Sequence, residues 1–261
     1  MLTRTRTIIT CAAAATAVGL GASMAAPALA AGRPAPGAAA GFRGISSRDH
    51  AIGRIAARPV NTRTFAGYQA TVRAGSATVL VASFTVPALS CTAADRAITP
   101  STGVPVRDFK SISAAFVFTG CVSGAAVYFP GLVVNGTETD FTASPFVAGD
   151  VINLTTKVSV NRTRVQVTDV TTGVTQKIIG AGGRARAALV GDNGWSTSPT
   201  TLQHVPDFGK LTFKSCVLDG KALASWHPVA LQRVNSRGTV QISTGGFWPG
   251  GNTFTTRFEH S

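Results

Sequence analysis

Few side chains in this sequence can move a proton. There are 11 Asp+Glu and 4 His in 261 residues. Glu138 and Asp140 lie two apart, so a strand would put both on one face, where they could act as a carboxylate pair. The competing reading is a solvated strand face. Asp192, in Gly191-Asp192-Asn193-Gly194, reads first as a turn residue. The amides that could stand beside such an acid are Gln69, Gln166, Gln176 and Gln203. His204 and Asp207 are close in sequence, but no Gly-x-Ser-x-Gly elbow offers a serine nucleophile. His50, His204, His227 and His260 lack metal-type spacing, and no two cysteines form a CxxC pair, so neither a metal nor a cofactor is expected. Gly180-Ala181-Gly182-Gly183 lacks the lysine and following helix of a phosphate loop and reads as a flexible turn.

Aromatic residues are a second resource. Phe247-Trp248-Pro249-Gly250-Gly251 and Trp226-His227-Pro228 put rings on glycine- and proline-rich loops. Such a ring can stack on a sugar or a peptide, or it can cover the end of a β-sandwich. Trp195, after Asn193-Gly194, carries the same two readings. Trp195, Trp226, Phe247 and Trp248 are therefore the candidate binding residues.

These groups need a scaffold. Hydrophobic residues make up 44% and charged residues 13% of the chain, which excludes an intrinsically disordered chain and a long charged helix. Residues 1–30 have a basic start at Arg4 and Arg6, an apolar stretch from Ile8 to Met24, and Ala28-Leu29-Ala30 as a cleavage pattern. They read as a Sec-type signal peptide cut before Ala31, so the product is expected outside the cytoplasm. No other stretch reaches the ~18 apolar residues of a spanning helix. Removing the leader takes two of the 24 basic residues and none of the 11 acids, leaving 22 − 11 = +11. It also removes Cys11. In an oxidising compartment Cys91, Cys121 and Cys216 allow one disulfide and one leftover thiol. Cys91–Cys121 is favoured, because a loop of about thirty residues is easily closed.

Residues 31–62 are rich in Ala, Gly, Pro and Arg, with poor hydrophobic periodicity. They read as a basic flexible arm, with a propeptide or a tether to an anionic cell wall as sharper alternatives. Nucleic acid is not expected, since the arginines are not interleaved with stacking aromatics. Residues 63–261 form the domain. Candidate strands are Phe65–Val72, Thr78–Val86, Ile112–Phe118, Ala125–Val134, Thr139–Thr142, Val151–Val160, Arg164–Asp169, Gln176–Ile179, Arg186–Val190, Lys210–Lys214, Val229–Val234, Thr239–Ser243 and Phe254–Phe258. Turn signals such as Asn135-Gly136 and Asp219-Gly220 separate them. VINLTTKVSV followed by RVQVTD predicts a hairpin with one buried and one wet face. About thirteen short strands without a convincing amphipathic helix predict an all-β, antiparallel two-sheet sandwich.

Four local matches give this pattern a family likeness. Thr64-Phe65-Ala66-Gly67-Tyr68 resembles an Asn-Trp-Ala-Gly-Tyr strand. Ser83-Phe84-Thr85-Val86-Pro87 resembles a strand ending in Val-Pro. Gly149-Asp150-Val151-Ile152 resembles a Gly-Asp-x-Ile turn, and Phe208-Gly209-Lys210-Leu211-Thr212-Phe213 a Phe-Gly-x-x-x-Phe strand. With the stretch from Pro228 to Phe258, these resemble the eqolisins, or glutamic peptidases, in the form found in secreted bacterial proteins. The resemblance implies a concanavalin-like sandwich of two long antiparallel sheets. It also implies a Gln in a Gln-Thr-Gly run and a Glu in an Ala-Glu-Trp-Ile run. The Glu acts as base and acid, and the Gln holds the attacking water and the oxyanion. Here Phe118-Thr119-Gly120 falls at the Gln run, with Phe129-Pro130-Gly131 as a second alignment. Arg186-Ala187-Ala188-Leu189 falls at the Glu run. Phe118 and Ala187 then stand where the catalytic pair is needed, and neither can do its work. The expectation is a non-catalytic protein that binds a peptide or glycan in the former substrate groove. The alternative is an active acid-pH endopeptidase using Asp192, Glu138 or Asp140.

Overall fold

Alternation of buried and exposed side chains builds most of the strands in the computed structural model. It describes residues 58–73, 75, 77–92, 97–106, 111–142, 145–194 and 204–260. The expected leader, most of the basic arm, His50, Trp195 and Gln203 lie outside the described residues. In chain order the strands are β1 (Val60–Thr62), β2 (Phe65–Thr71), β3 (Thr78–Thr85), β4 (Ala97–Val106), β5 (Ser111–Val122), β6 (Ala125–Val134), β7 (Thr137–Asp140) and β8 (Val151–Val158). They continue with β9 (Arg162–Asp169), β10 (Thr175–Ala181), β11 (Ala187–Gly194), β12 (Lys210–Leu218), β13 (Lys221–Ala222), β14 (Val229–Val234), β15 (Val240–Thr244) and β16 (Phe254–Phe258). The one helix among the described residues is a 3-10 turn, Leu223–Trp226.

The hairpin expected from VINLTTKVSV and RVQVTD is β8–β9, antiparallel from Ile152↔Asp169 to Val158↔Thr163, with the first strand ending at Val158 and the second starting at Arg162. In both strands every second residue is buried. Val229–Val234, Phe254–Phe258 and Ala125–Val134 are strands within the expected bounds. Strand β4 was not expected. Pro100, Gly103 and Pro105 mark it as a loop by local preference, yet it is buried along its whole length between β11 and β5.

The strands run in the order β10-β9-β8-β3-β12-β16-β15-β14-β2-β11-β4-β5-β6-β7. Strand β12 is the corner. Its first half, Lys210–Phe213, pairs with β16, and after Phe213 it passes to β3 with a register shift between Lys214 and Val217. Such a shift lets one strand serve two sheets. One sheet is then β10-β9-β8-β3 and the other runs from β16 to β7. All these pairings are antiparallel, while β1 adds to β14 in parallel.

The main core lies between the sheets. Leu80, Phe84, Ile152, Leu154 and Val167 come from one, and Ile98, Val104, Val117, Leu132 and Val190 from the other. Within it Thr156 donates to the Thr102 carbonyl at 2.9 Å, a buried polar tie between β8 and β4. Cys91 and Cys121 form the expected disulfide, with Cα atoms 5.7 Å apart. Cys216 is a buried free thiol.

Candidate functional site

The outer face of the larger sheet carries a second apolar cluster: Phe65, Ile112, Ala114, Phe116, Val133, Leu189 and Leu231, with Val60, Phe118 and Val229 packed against it. It exists because alternation on β2, β11, β4, β5 and β6 sends one set of residues into the main core and the other set out. The ladder registers place the outward residues in rungs across the strands. One rung runs Phe129–Phe118–Thr99–Asn193–Phe65. The next runs Gly131–Phe116–Ser101–Gly191–Gly67–Leu231. A third runs Val133–Ala114–Gly103–Leu189–Gln69–Val229.

The middle rung has a floor of small residues. Gly67 and Gly191 are register partners, at φ 144° and 154°, and the strands touch there. A Cβ on Gly67 would fall 2.2 Å from the Val190 carbonyl oxygen, and one on Gly191 2.1 Å from that of Ala66. Only glycine fits both. With Ser101 they make a strip of small residues running across the strands, and the strip and the residues around it are buried. Phe116 closes one end and Leu231 the other, Asn193 and Phe65 flank one side, and Leu189 and Gln69 the other.

Away from the edge strand, the polar groups at the centre of this face are few and buried. Ser101 donates to the Gly191 carbonyl and Thr99 to that of Asn193, at 3.3 and 3.0 Å, so both hydroxyls serve the sheet itself. Asn193 is 3% exposed, and its side-chain oxygen has no hydrogen-bond partner among the described residues. Gln69 is buried on the third rung, and Arg233 is buried beyond Leu231 on β14, where burial lowers its guanidinium to about 10.

Phe118 is on this face, stacked on Phe129 with ring centroids 4.6 Å apart. Ala187 is on the same face, but it pairs with Thr71, six residues along β11 from Phe118's rung. At ~3.3 Å per residue that separation is about 20 Å. The β11 residue on Phe118's rung is Asn193. Nothing in the local sequence marks it, because the ladder register sets the match.

The candidate acids divide between the two faces: Glu138 and Asp140 extend the third and middle rungs at the edge of the outer face, and Asp192 does not lie on it. Asp192 points into the main core, wholly buried, and accepts a hydrogen bond from the Thr256 hydroxyl. Its other oxygen has no partner among the described residues. Burial raises its carboxyl to about 7, with the Thr256 bond opposing. It is a strand residue, not the turn residue expected. Glu138 and Asp140 do share one face of the edge strand β7, opposite Val133 and Gly131. The threonines of that strand, not the acids, take its exposed side. Burial, then the charge and hydrogen bond of Asp140, raise Glu138 to about 7, and burial raises Asp140. Five strand spacings separate Glu138 from Gln69 along the third rung, about 24 Å at ~4.8 Å each. Gln166 and Gln176 lie on β9 and β10 of the other sheet.

Phe247 and Trp226 pack against the main core, away from the outer face. Phe247 stacks on Tyr68 with centroids 4.1 Å apart and meets Phe254 edge-on at 5.7 Å. Trp226 donates its indole N–H to the Leu218 carbonyl at 3.0 Å. Trp248 is 49% exposed.

No protein-family model and no curated protein sequence matches the chain. Solved structures do. Scytalido-glutamic peptidase bound to a transition-state analog inhibitor is 14% identical, with a TM-score of 0.62, over 76% of this chain and 98% of that one. SCP-B, a member of the eqolisin family of peptidases in complex with the tripeptide Ala-Ile-His, is also 14% identical, with a TM-score of 0.60, over 76% and 98%. Aspergilloglutamic peptidase from Aspergillus niger is 17% identical, with a TM-score of 0.52, over 63% and 99%. The chain therefore has the fold of the eqolisin glutamic peptidases, as the four sequence matches implied.

Proposed function

We propose that this is an exported, non-catalytic protein of eqolisin fold that binds an extended peptide along the strip of small residues on its outer face. One observation carries the reading: the rung Phe129–Phe118–Thr99–Asn193–Phe65 contains no acid. An amide cannot take a proton from water and return it to an amine, and a phenyl ring cannot hold an oxyanion. A strip of small residues between apolar side chains and the Asn193 carbonyl suits a peptide backbone with apolar side chains, which would enter from the half-buried Phe118–Phe129 end because the strip itself is buried. Phe118 and Phe129 are only half-buried and give the ligand its point of contact. Export rests on the leader pattern and agrees with the Cys91–Cys121 disulfide. The basic arm supplies a tether to an anionic wall, and wall binding that survives about 1 M NaCl would count against it.

The test is digestion of a denatured protein by purified residues 31–261, scanned from acid to neutral pH, beside fluorescence-polarisation binding of apolar peptides. No cleavage with saturable peptide binding supports the proposal. Cleavage at low pH overturns it in favour of an acid endopeptidase, with Glu138, Asp140 and Asp192 as the next positions to change.

A further inference from the structure

Trp248 is the one aromatic among the large apolar side chains exposed in the described residues. Its exposure is not the looseness of a free loop. Phe247 is locked into the core by Tyr68 and Phe254, and the Tyr68 hydroxyl donates to the Gly245 carbonyl at 2.9 Å. The Trp248 N–H donates to the Thr253 carbonyl at 2.8 Å, and the Gly251 N–H returns to the Trp248 carbonyl at 3.0 Å. The Gly251 carbonyl in turn accepts from Ala224 in the 3-10 turn, also at 3.0 Å. A Cβ on Gly251 would come 2.9 Å from that of Ala224. The segment is thus held at both ends and along its flank, while the indole is left in water.

The surroundings define what could lie on the ring. Gly246, Pro249 and Gly250 are exposed and leave a low rim that does not shield it. Ser225 and His227, at the end of the adjoining 3-10 turn, are exposed and polar. From Gly245 to Thr253 there is no charged residue, in a chain of formal charge +13. An aromatic ring displayed on a segment whose backbone is held in place matches the C–H face of a pyranose. A charged ligand would find no counter-ion in the segment, and a single strand of nucleic acid needs several rings and a basic groove.

We propose that Trp248 is the stacking platform of a site for a neutral saccharide, built by residues 245–253 and the end of the 3-10 turn and separate from the outer-face strip. The test titrates the full chain with cellohexaose and chitohexaose, following tryptophan fluorescence and calorimetric heat. Binding is expected to shift the emission and to change little between about 0.1 and 1 M NaCl. Trp248→Ala should weaken it at least about tenfold, Trp248→Tyr only a few-fold, and both variants should melt with the wild type. Phe118→Ala should bind as the wild type does. Absence of binding by either sugar, equal binding by Trp248→Ala, or loss of binding in Phe118→Ala would each overturn the proposal. The first two outcomes say nothing of whether the outer face takes a peptide, whereas the third would move the sugar to that face.

Discussion

Phe116 lies directly over Gly131, its register partner on the neighbouring strand: a Cβ at Gly131 would fall 2.1 Å from the ring. The ring is 4% exposed, so it has no free side to retreat to. Gly131→Ala is expected to lower stability by about 1–3 kcal/mol through overpacking. Urea melts should show it as a lower midpoint at unchanged slope. A variant as stable as the wild type would mean that the ring can move.

Register also decides which substitutions could put a carboxyl beside an amide. Asn193→Glu with Phe118→Gln places both on one rung, two strand spacings apart, whereas Ala187→Glu sits about 20 Å along the strand. An NMR titration of the introduced glutamate should respond to Phe118→Gln in the Asn193→Glu background and ignore it in the Ala187→Glu background. Equal responses would refute the register.

Asp192 makes stability fall as pH rises. Its carboxyl goes from an ordinary 3.8 to about 7 in the fold, so the native state holds the proton more tightly than the unfolded chain. The benefit is complete below about pH 4 and is lost as pH rises through about 7. At 1.36 kcal/mol per pKa unit this is on the order of 4 kcal/mol. Asp192→Asn keeps an acceptor for Thr256 and should flatten the profile of melting temperature against pH between 4 and 7. An unchanged profile would assign the slope to Glu138 and Asp140, which are raised in the same direction.

The two kinds of cysteine should separate cleanly. Cys91–Cys121 closes a loop of sequence separation 30, and its reduction should cost about 2–4 kcal/mol. Burial pushes the Cys216 thiol up to about 12, so an alkylating reagent should label it only in denaturant. Labelling of the native protein at neutral pH would show that this part of the core opens.

Much of the scaffold was legible because local pattern and burial agree. In the β8–β9 hairpin the alternating residues are the ones that meet the opposite sheet. Strand β4 was not legible. Its prolines and glycine argue for a loop, and tertiary pairing on both edges overrides them. That omission hid Thr99, Ser101 and Gly103, and with them the strand that stands between Phe118 and Asn193 on their shared rung. Phe118 itself could be found from a short run of neighbours. Its partner could not, since adjacency across a sheet is set by register and not by sequence spacing. The aromatic candidates show a similar limit. Phe247 and Trp248 are consecutive, and only the backbone course between Gly245 and Thr253 separates a core anchor from a displayed ring.

Strand β12 spends its first half on one sheet and its second half on the other. Neither sheet can then fray at that edge without tearing a strand from its neighbour. The molecule should open as one cooperative unit, and amides on both sides of the bend should exchange with solvent at the rate of global opening.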